Sequence, residues 1–573
     1  MGRQTGAMHV ATIRRRHGER VYESHLIRRS VRDGSRVRHE TIANVSKLPP
    51  AALEALRRAL AGQTLIDAEA AFTIERSLPH GHVAALLAAC RRLELARLLD
   101  RSPSRERSLV LAMIVQRLLE PGSKLACARA LARSTLAEEL ELGPVDEDEL
   151  YAALDWLEAR QPQIEKRLAA RHLRPGALAL YDLSSSYFEG RSCPLAALGY
   201  SRDGRRGTLQ IVYGLLGDQE GRPVAVEVFA GQTQDQQTIP SQLSKLKEEF
   251  GLGEVVLVAD RGMVTRANLK ALQDEGIDWI TALKAPQVQR LARQGAFQLS
   301  LFDQQDLAEI TSEEFPGERL VVCRNPLVAA ERARKREALL AATEADLAPI
   351  RTRVERGTLS GEAQIGLAVG EVIKRHRVKK HFALEISDTS FAYQRKHDQI
   401  TAEAALDGIY ILRTSLPAER LEAPEVVRAY KQLKEVERDF RVLKGPELEI
   451  RPIHHRLERR VKAHVFLCML ALYLEWHLRQ AWRELTFYDP TPPPQPNPVT
   501  KARRSQAADR KAATKSTPDG LPAHSLHDLI SELATQTRNT IRLADSDATF
   551  TKLTAPTPIQ TRAHELADGI TVP

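Results

Sequence analysis

Two apolar, strand-like runs that each end in an aspartate constrain this fold more than any other feature of the chain. ALALYD ends at Asp182, and EVVLVAD ends at Asp260. Polar residues at the carboxyl ends of neighbouring parallel strands lie at one edge of a sheet, where ligands bind. If these two strands are adjacent and parallel, both carboxylates come within bridging reach of one divalent ion. Taken singly, each aspartate also fits a turn or a helix cap.

The surrounding segment, residues 176–284, predicts a mixed sheet. Further apolar or β-branched runs (TLQIVYGLLGD, PVAVEVFAG and DWITALK) accompany one helical stretch, TRANLKALQDEG. Residues 51–175 have the i, i+3, i+4 apolar spacing of helices. Residues 1–50 alternate in short runs around Asp33-Gly34, which indicates a small β unit. We therefore expect an α/β fold preceded by a basic β unit and a helical module.

The second half of the chain is less regular. Residues 285–420 combine a charged helix with strand-like pieces, and helices return over residues 421–488. Six prolines between Pro490 and Pro498, followed by a basic stretch, predict a flexible linker over residues 489–520. A tail over residues 521–573 contains a short helical pattern and a strand-like run.

Positive charge is concentrated at the beginning of the chain. The whole sequence has a net charge of +9, and residues 1–50 hold eleven Lys or Arg against four Asp or Glu, an excess of seven. Clustered positive charge is what a polyanion partner requires, since neutralised phosphates release counterions. We expect Arg14, Arg15 and Arg16 to contact DNA phosphates, and we expect the helical module of residues 51–175 to bind DNA by placing a helix in the major groove. A solvated basic face is the alternative.

Cysteine usage and hydropathy exclude other classes of protein. The five cysteines are far apart without a CxxC pair, so neither a disulfide framework nor a cysteine zinc site is predicted. No apolar run approaches the ~18 residues that a membrane span needs, and we expect no secretory signal because no hydrophobic stretch follows the Arg-rich start. No GxxxxGK[ST] phosphate loop occurs, so ATP use is not indicated. We expect a cytoplasmic protein with no membrane partner.

A third acid is suggested by AYKQLKEVERDFRVLKG, residues 429–445. On one continuous helix, Tyr430, Glu437, Arg441 and Lys444 fall on a common face beside an apolar stripe. Glu437 is then an acid among cations. Asp439, at the other edge of the stripe, is the second choice because its neighbours have a mixed, solvent-like character. Ordinary ion pairing on a surface helix is the alternative to a functional acid.

These motifs together resemble the DDE transposases of bacterial insertion sequences, in the group with a Tyr-x2-Arg-x3-Glu-x6-Lys signature around the third acid. The matches are Asp182 in YDLSSSYFEG, Asp260 in VADRGM, and YKQLKEVERDFRVLK. Three further stretches also resemble sequences of this family: GYSRDGRRGTLQIVYGLL, FAGQTQDQQTI and HHRLERRVKAHVFLCMLALYL. One position departs from the signature: Leu433 stands where the group has arginine. Lys434 or Arg441 could replace that phosphate contact.

The resemblance implies an RNase H-like (retroviral integrase-like) catalytic core interrupted by an α+β insertion. Its first acid lies on the first strand, its second after the fourth, and its third on a helix beyond the insertion. It implies that Asp182, Asp260 and Glu437 are catalytic and bind Mg²⁺ or Mn²⁺, and that Tyr430, Lys434, Arg441 and Lys444 contact DNA. Three carboxylates without His or Cys suit such hard cations.

The implied activity is transposition of an insertion sequence. The partners are double-stranded DNA, both transposon ends and target, and a second copy of the chain when paired ends are bound. The expected location is the cytoplasm, on the nucleoid.

Two other functions are also compatible with the sequence. One is a catalytically silent DNA-binding protein descended from a transposase, supported by Leu433. The other is an RNase H-like nuclease that cuts without joining strands. Among lesser candidates, Asp203 fits a structural role better than a catalytic one. His454, His455 and His464 match no zinc-site spacing, so they are expected to be satisfied or to contact phosphate.

Overall fold

The computed structural model describes residues 4–571, apart from residues 19, 34–35, 64–70, 298–301, 490 and 545–546. Gly34 of the predicted turn and Pro490 of the predicted linker lie outside the described residues. The chain divides into two compact units. One is Met1–Leu78 with Arg538–Thr554, and the other is Pro79–Thr537 with Ala555–Pro573.

The strands, in chain order, are β1 (Gln4–His17), β2 (Arg20–Asp33), β3 (Arg36–Asn44), β4 (Phe72–Pro79), β5 (Leu178–Tyr187), β6 (Ala197–Leu198), β7 (Leu209–Asp218), β8 (Pro223–Ala230), β9 (Val256–Ala259), β10 (Asp278–Ala282), β11 (Leu307–Ile310), β12 (Arg319–Arg324), β13 (Phe382–Ile386), β14 (Phe391–Arg395), β15 (Ile409–Thr414), β16 (Thr537–Leu543) and β17 (Thr549–Leu553).

The helices are α1 (Pro50–Leu60), α2 (Gly81–Arg92), α3 (Leu95–Leu99), α4 (Arg105–Leu119), α5 (Lys124–Leu131), α6 (Leu136–Glu139), α7 (Glu147–Glu158), α8 (Gln161–His172), α9 (Ile239–Ser244), α10 (Arg266–Asp274), α11 (Ala285–Arg293), α12 (Pro326–Glu355), α13 (Glu362–His376), α14 (His397–Ala404), α15 (Ala423–Lys431), α16 (Leu433–Lys444), α17 (Glu458–Ala481), α18 (Gln506–Thr514), α19 (Leu526–Ala534) and α20 (Pro558–Asp568).

The smaller unit contains the predicted N-terminal β unit. Strands β1, β2 and β3 form an antiparallel sheet, and a second sheet has the order β17-β16-β4, with β16 in the middle. β1 and β2 are each 14 residues long, and most residues of β1 are exposed on both faces. Alternate side chains of a strand point to opposite faces, so both faces of this hairpin present arginines.

The larger unit is built on the predicted mixed sheet, which has nine strands in the order β11-β12-β15-β10-β9-β5-β7-β6, with β8 paired to β7. Strands β5, β9 and β10 are mutually parallel, whereas β7 and β8 are antiparallel to their neighbours. The α/β prediction is confirmed.

The predicted insertion, residues 285–420, contributes to this sheet rather than standing entirely apart. Strand β15 pairs with β10, and β12 and β11 continue the sheet beyond it. Helices α12 and α13 bury a separate apolar cluster with the β13-β14 hairpin. The segment therefore both widens the core sheet and carries a small core of its own.

Helix α17 is the central helix of the larger unit, and every residue from Ala463 to Arg479 is buried. It corrects the expectation that no segment resembles a membrane span, since Glu458–Glu484 is long and apolar enough by length and composition. However, 94% of its most apolar window is buried inside the protein. Burial on all sides explains a helix that is apolar all round.

The helices of residues 81–172 pack into the same core. Every residue of α4 from Leu109 to Leu118 is buried. The Gln161 amide donates to the Val226 carbonyl of β8, and the Lys245 ammonium lies 2.7 Å from the Glu165 carboxylate. Most of α4 is thus occupied by core contacts, which leaves little of its surface to enter a DNA groove.

The predicted flexible linker is wrong over part of its length, because residues 506–514 form α18. Ser505 caps this helix by accepting a hydrogen bond from the Ala508 amide. The Lys511 ammonium is buried and donates to the carbonyls of Arg483 and Tyr488. The basic composition suggested a solvated linker, but one of its lysines, Lys511, instead holds the segment against the core.

Candidate active site

Asp182 and Asp260 lie side by side at the edge where β5 and β9 stop pairing. The last partners in this parallel register are Tyr181 and Ala259, so each aspartate is the next residue of its own segment. Neighbouring strands lie roughly 5 Å apart, which brings the two backbones close together. The predicted adjacency of two parallel strands is confirmed.

One detail differs from the prediction: Asp182 does not end its strand. β5 continues to Tyr187 because residues 182–187 remain paired with β7 on the other side. The three serines that follow Leu183 are buried, and Ser186 Oγ lies 2.9 Å from the Tyr213 hydroxyl. The Tyr181 ring, next to Asp182, packs against Gly214 of β7. A Cβ added at Gly214 would lie 2.3 Å from the Tyr181 hydroxyl, so only glycine leaves room for this ring.

Glu437 reaches the same place from α16. This helix packs on β5 and β7 through its apolar stripe, with the Phe440 ring 5.9 Å from the Tyr213 ring. The expected continuous helix is interrupted at Gln432, so Tyr430 belongs to the end of α15. The interruption places the Tyr430 hydroxyl 3.3 Å from Asp260 Oδ1, to which it donates.

The three acids line one pocket of about 570 Å³, together with Tyr430, Leu433 and Lys434. Burial, together with the smaller effect of the charges of Asp260 and Glu437, raises the pKa of Asp182 to about 7. The amide of Leu183, which donates to Asp182 Oδ1 at 2.8 Å, opposes that shift. The three carboxylates are therefore close enough to interact electrostatically, although their catalytic role stays a prediction.

The cations near Glu437 on α16 lie in different environments. Lys434 is exposed at the acid-lined pocket, and its ammonium is 3.7 Å from Glu435. Arg441 is exposed and has no ion-pair partner among the described residues. Lys444, in contrast, is largely buried and pairs with Asp203 at 2.8 Å.

Asp439, the second choice for the third acid, is placed elsewhere. The predicted solvent-like surroundings are wrong, since Asp439 is buried with its carboxylate 3.9 Å from the Arg479 guanidinium. Burial raises the pKa of Asp439 well above its usual value. Arg479 belongs to α17, and no local pattern around Asp439 could have revealed it.

A wall of the acid-lined pocket was missed by sequence reasoning. Gln495, Thr500, Lys501 and Ala502, from the proline-rich segment, line it. The segment is held by the Lys431 ammonium, which donates to the carbonyls of Pro498, Val499 and Thr500. Proline-rich composition predicted a linker, and nothing in it indicated a docked position.

Arg202 is a second residue that was missed. Its positive charge lowers the pKa of Asp182, although burial and the neighbouring acids outweigh it. The guanidinium is held by an ion pair with Asp235. The GYSRDGRRG motif pointed to this region but did not single out Arg202.

The N-terminal arginines lie on the exposed β1-β2 hairpin. Arg14 is ion-paired with Glu23 at 2.6 Å, and the Arg16 guanidinium donates to the Gly18 carbonyl. Arg15 points to the opposite face of the strand and is exposed. All three are accessible, and their contact with DNA stays a prediction.

Comparison with known families identifies the chain. A family described as "Transposase DDE domain" matches residues 195–474, and a family described as "IS1634 family transposase, N-terminal domain" matches residues 10–71. The chain belongs to the DDE transposases of insertion sequences. The DDE match includes Asp260 and Glu437 but begins after Asp182. The role of Asp182 as the first acid of this insertion-sequence transposase stays a prediction, supported by the strand register and the shared pocket.

Two further comparisons add little to that assignment. A cryo-EM structure of the piggyBac transposase synaptic complex with hairpin DNA is similar at 10% sequence identity and a TM-score of 0.34, over 78% of this chain and 79% of that one. No curated protein matches the chain.

Proposed function

We propose that this transposase binds the terminal inverted repeats of its insertion sequence and catalyses metal-dependent cleavage and strand transfer of DNA from an RNase H-like core. The observation that carries this proposal is the meeting of Asp182, Asp260 and Glu437 at one pocket, from two adjacent strands and a helix. This is the placement of acids that the family resemblance implies.

The donor chemistry of the pocket suits Mg²⁺ or Mn²⁺. Asp182, Asp260 and Glu437 offer only carboxylate oxygens, which hard divalent cations prefer. Among the described residues, no three acid, His or Cys side chains already lie close enough together to hold one ion. Binding would therefore require side-chain rotation, which is open to Asp260 and Glu437 because both are exposed. A bound metal would lower the pKa of water or a 3′-hydroxyl and stabilise charge during in-line displacement at phosphorus.

The protein's own groups have distinct tasks in this proposal. The Leu183 amide orients the Asp182 carboxylate, and the Tyr430 hydroxyl orients Asp260. Lys434 and Arg441 are the exposed cations along α16, so we assign them to the phosphates of the DNA strand that enters the pocket. Holding the strand in line with the attacking oxygen contributes to rate through orientation.

Recognition of the ends is assigned chiefly to the smaller unit. Its hairpin presents Arg14, Arg15 and Arg16, and phosphate contacts from such a surface fix position on double-stranded DNA. The proposed assembly is a homodimer on paired ends, which then joins target DNA. The proposed location is the cytoplasm, at the nucleoid.

The test uses linear DNA that carries the inverted repeats flanking the gene, with Mg²⁺ or with EDTA. We expect nicking at the repeat ends and joining to a target plasmid, both lost with EDTA and restored by Mg²⁺ or Mn²⁺. Cutting without dependence on the repeats would instead favour the simple nuclease. Repeat binding without any cutting would favour the catalytically silent protein, the function that Leu433 in place of arginine supports.

A further inference from the structure

A second pocket, of about 540 Å³, lies between the helices of residues 81–172 and the loop that leads into α17. We call it the basic pocket, since its lining includes Lys124, Arg117, Arg451, Arg456 and Arg460 against one acid, Glu449. It is separate from the acid-lined pocket, and the proposed chemistry uses none of its residues.

Lys124 is the decisive residue of the basic pocket. Its side chain is only 4% exposed and has no hydrogen-bond or ion-pair partner among the described residues. Arg117, 5% exposed, lies near it and makes one long contact, 3.5 Å, to the Leu448 carbonyl. A buried charge without a counter-charge is costly, so two neighbouring buried cations indicate a site that an anion completes.

The other charged groups of the basic pocket do not supply that anion. Arg460 pairs with Asp155, and Arg451 pairs with Asp203, so both acids are already engaged. Glu449 is exposed and forms no ion pair among the described residues. Arg456 is exposed at the rim.

Histidines around the basic pocket point to the same conclusion. His464 is buried, its Nε2 contacts the Ile450 carbonyl at 3.1 Å, and its Nδ1 has no partner in the described structure. Burial and the charges of Lys124 and Arg117 lower the pKa of His455 to about 3. These imidazoles are neutral at pH 7, so neither of them supplies the missing negative charge.

The basic pocket is joined to the elements that carry the acids. The Glu189 amide, just past β5, donates to the Ile453 carbonyl, and the Ile453 amide donates to Tyr187. Arg451 donates to the Lys444 carbonyl at the end of α16. A ligand in the basic pocket would therefore stabilise the loop between α16 and α17, which contacts both the end of the Asp182 strand and the end of the Glu437 helix.

We propose that the basic pocket binds a backbone phosphate of DNA, with Lys124 and Arg117 as the inner donors and Arg456 at the rim. The identification of DNA as the source of the phosphate rests on the proposed function. The presence of a phosphate site in the basic pocket does not. Charge-assisted hydrogen bonds from Lys and Arg are the usual means of holding such a group. The volume also admits the sugar and base attached to it.

The test compares the full-length protein with Lys124→Met in thermal unfolding and in binding to inverted-repeat duplex. Inorganic phosphate should raise the melting temperature of the wild type relative to chloride at equal ionic strength, and should not raise that of Lys124→Met. Without phosphate, Lys124→Met should melt at or above the wild-type temperature, because it removes an uncompensated buried charge. Duplex affinity should fall about tenfold, with a salt dependence shallower by about one unit of slope.

Matched controls separate this site from the rest of the protein. Lys462→Met removes a lysine of α17 that pairs with Glu458 outside the basic pocket, and it should behave as wild type in both assays. Asp260→Ala should lose strand cleavage but keep the stabilisation by phosphate, so failure of the proposed chemistry would leave this site standing.

Two results would overturn the proposal. No greater stabilisation of the wild type by phosphate than by chloride would remove the phosphate site. Stabilisation by phosphate with unchanged duplex affinity in Lys124→Met would overturn the assignment to DNA and would indicate a free phosphate compound instead.

Discussion

The Lys444 ammonium lies 2.8 Å from Asp203 Oδ1, and the two side chains are only 11% and 1% exposed. The same carboxylate accepts from Arg451 at 2.6 Å and, through its other oxygen, from the Tyr187 amide at 3.1 Å. The signature lysine is thus part of a buried network that ties the end of α16 to the end of β5. This geometry favours a positioning role for Lys444 over the phosphate contact that the sequence suggested.

The contrast between Lys444 and Arg441 makes this role testable. Lys444→Met should lower the free energy of unfolding by about 3 kcal/mol, because it breaks a buried ion pair, and should leave end affinity of the folded protein within about twofold. Arg441→Met should change stability by less than about 0.5 kcal/mol, since the side chain is exposed, yet weaken end binding about tenfold. Urea unfolding and fluorescence anisotropy measure the two effects. If Lys444→Met lost as much end affinity as Arg441→Met and lost no stability, Lys444 would be a DNA contact rather than a positioning residue.

The acids of the acid-lined pocket should separate chemistry from binding. Asp182→Asn, Asp260→Asn and Glu437→Gln should each reduce strand cleavage by at least about a hundredfold while inverted-repeat affinity stays near the wild-type value. Asp439→Asn serves as the comparison, because this acid is buried beside Arg479. It should lower stability and leave the cleavage rate of the folded fraction unchanged. Wild-type cleavage in any one of the three variants would remove that acid from the proposed site.

The sequence predicted what depends on local pattern and missed what depends on distant partners. Asp182 and Asp260 follow apolar runs, and β5 and β9 do pair in parallel. The extension of β5 through its serines was missed because hydroxyls buried against Tyr213 look the same in sequence as a polar loop. The burial of Asp439 depends on Arg479, forty residues later, and is equally invisible to periodicity.

Docking of the proline-rich segment can be tested at Lys431. Its ammonium donates to three successive carbonyls, and burial lowers its pKa to about 8. Lys431→Met should lose these hydrogen bonds, lower the free energy of unfolding by about 2 kcal/mol, and speed proteolytic cutting within residues 495–502. Lys434→Met, an exposed neighbour at the acid-lined pocket, should leave the cutting rate unchanged. Equal proteolysis of wild type and Lys431→Met would show that the segment is held by other contacts.

Buried neutral histidines should make the larger unit labile in acid. His172 Nε2 lies 3.0 Å from the Tyr473 hydroxyl, and the His477 ring is 4.7 Å from the Tyr473 ring. Burial, followed by the charge of Arg222, lowers the pKa of both histidines to about 3. The unfolded chain titrates near 6.5, so it binds more protons than the folded protein between about pH 6.5 and pH 3. The contribution of these two histidines to the free energy of unfolding is therefore fully present above pH 6.5. As the pH falls from 6.5 to 3, the free energy of unfolding decreases by about 1.4 kcal/mol per pH unit for each histidine.

Urea unfolding at several pH values from 4.5 to 7.5 measures this dependence. The double variant His172→Gln/His477→Gln should show a shallower fall in the free energy of unfolding below pH 6.5, whatever its stability at neutral pH, because two of the proton-uptake sites of the unfolded chain are gone. His527→Gln changes an exposed histidine and should keep the wild-type slope. The slope, rather than the stability at one pH, is the decisive quantity, since a packing defect lowers stability equally at every pH. An unchanged slope in the double variant would mean that these two imidazoles take up protons in the folded protein as readily as in the unfolded chain.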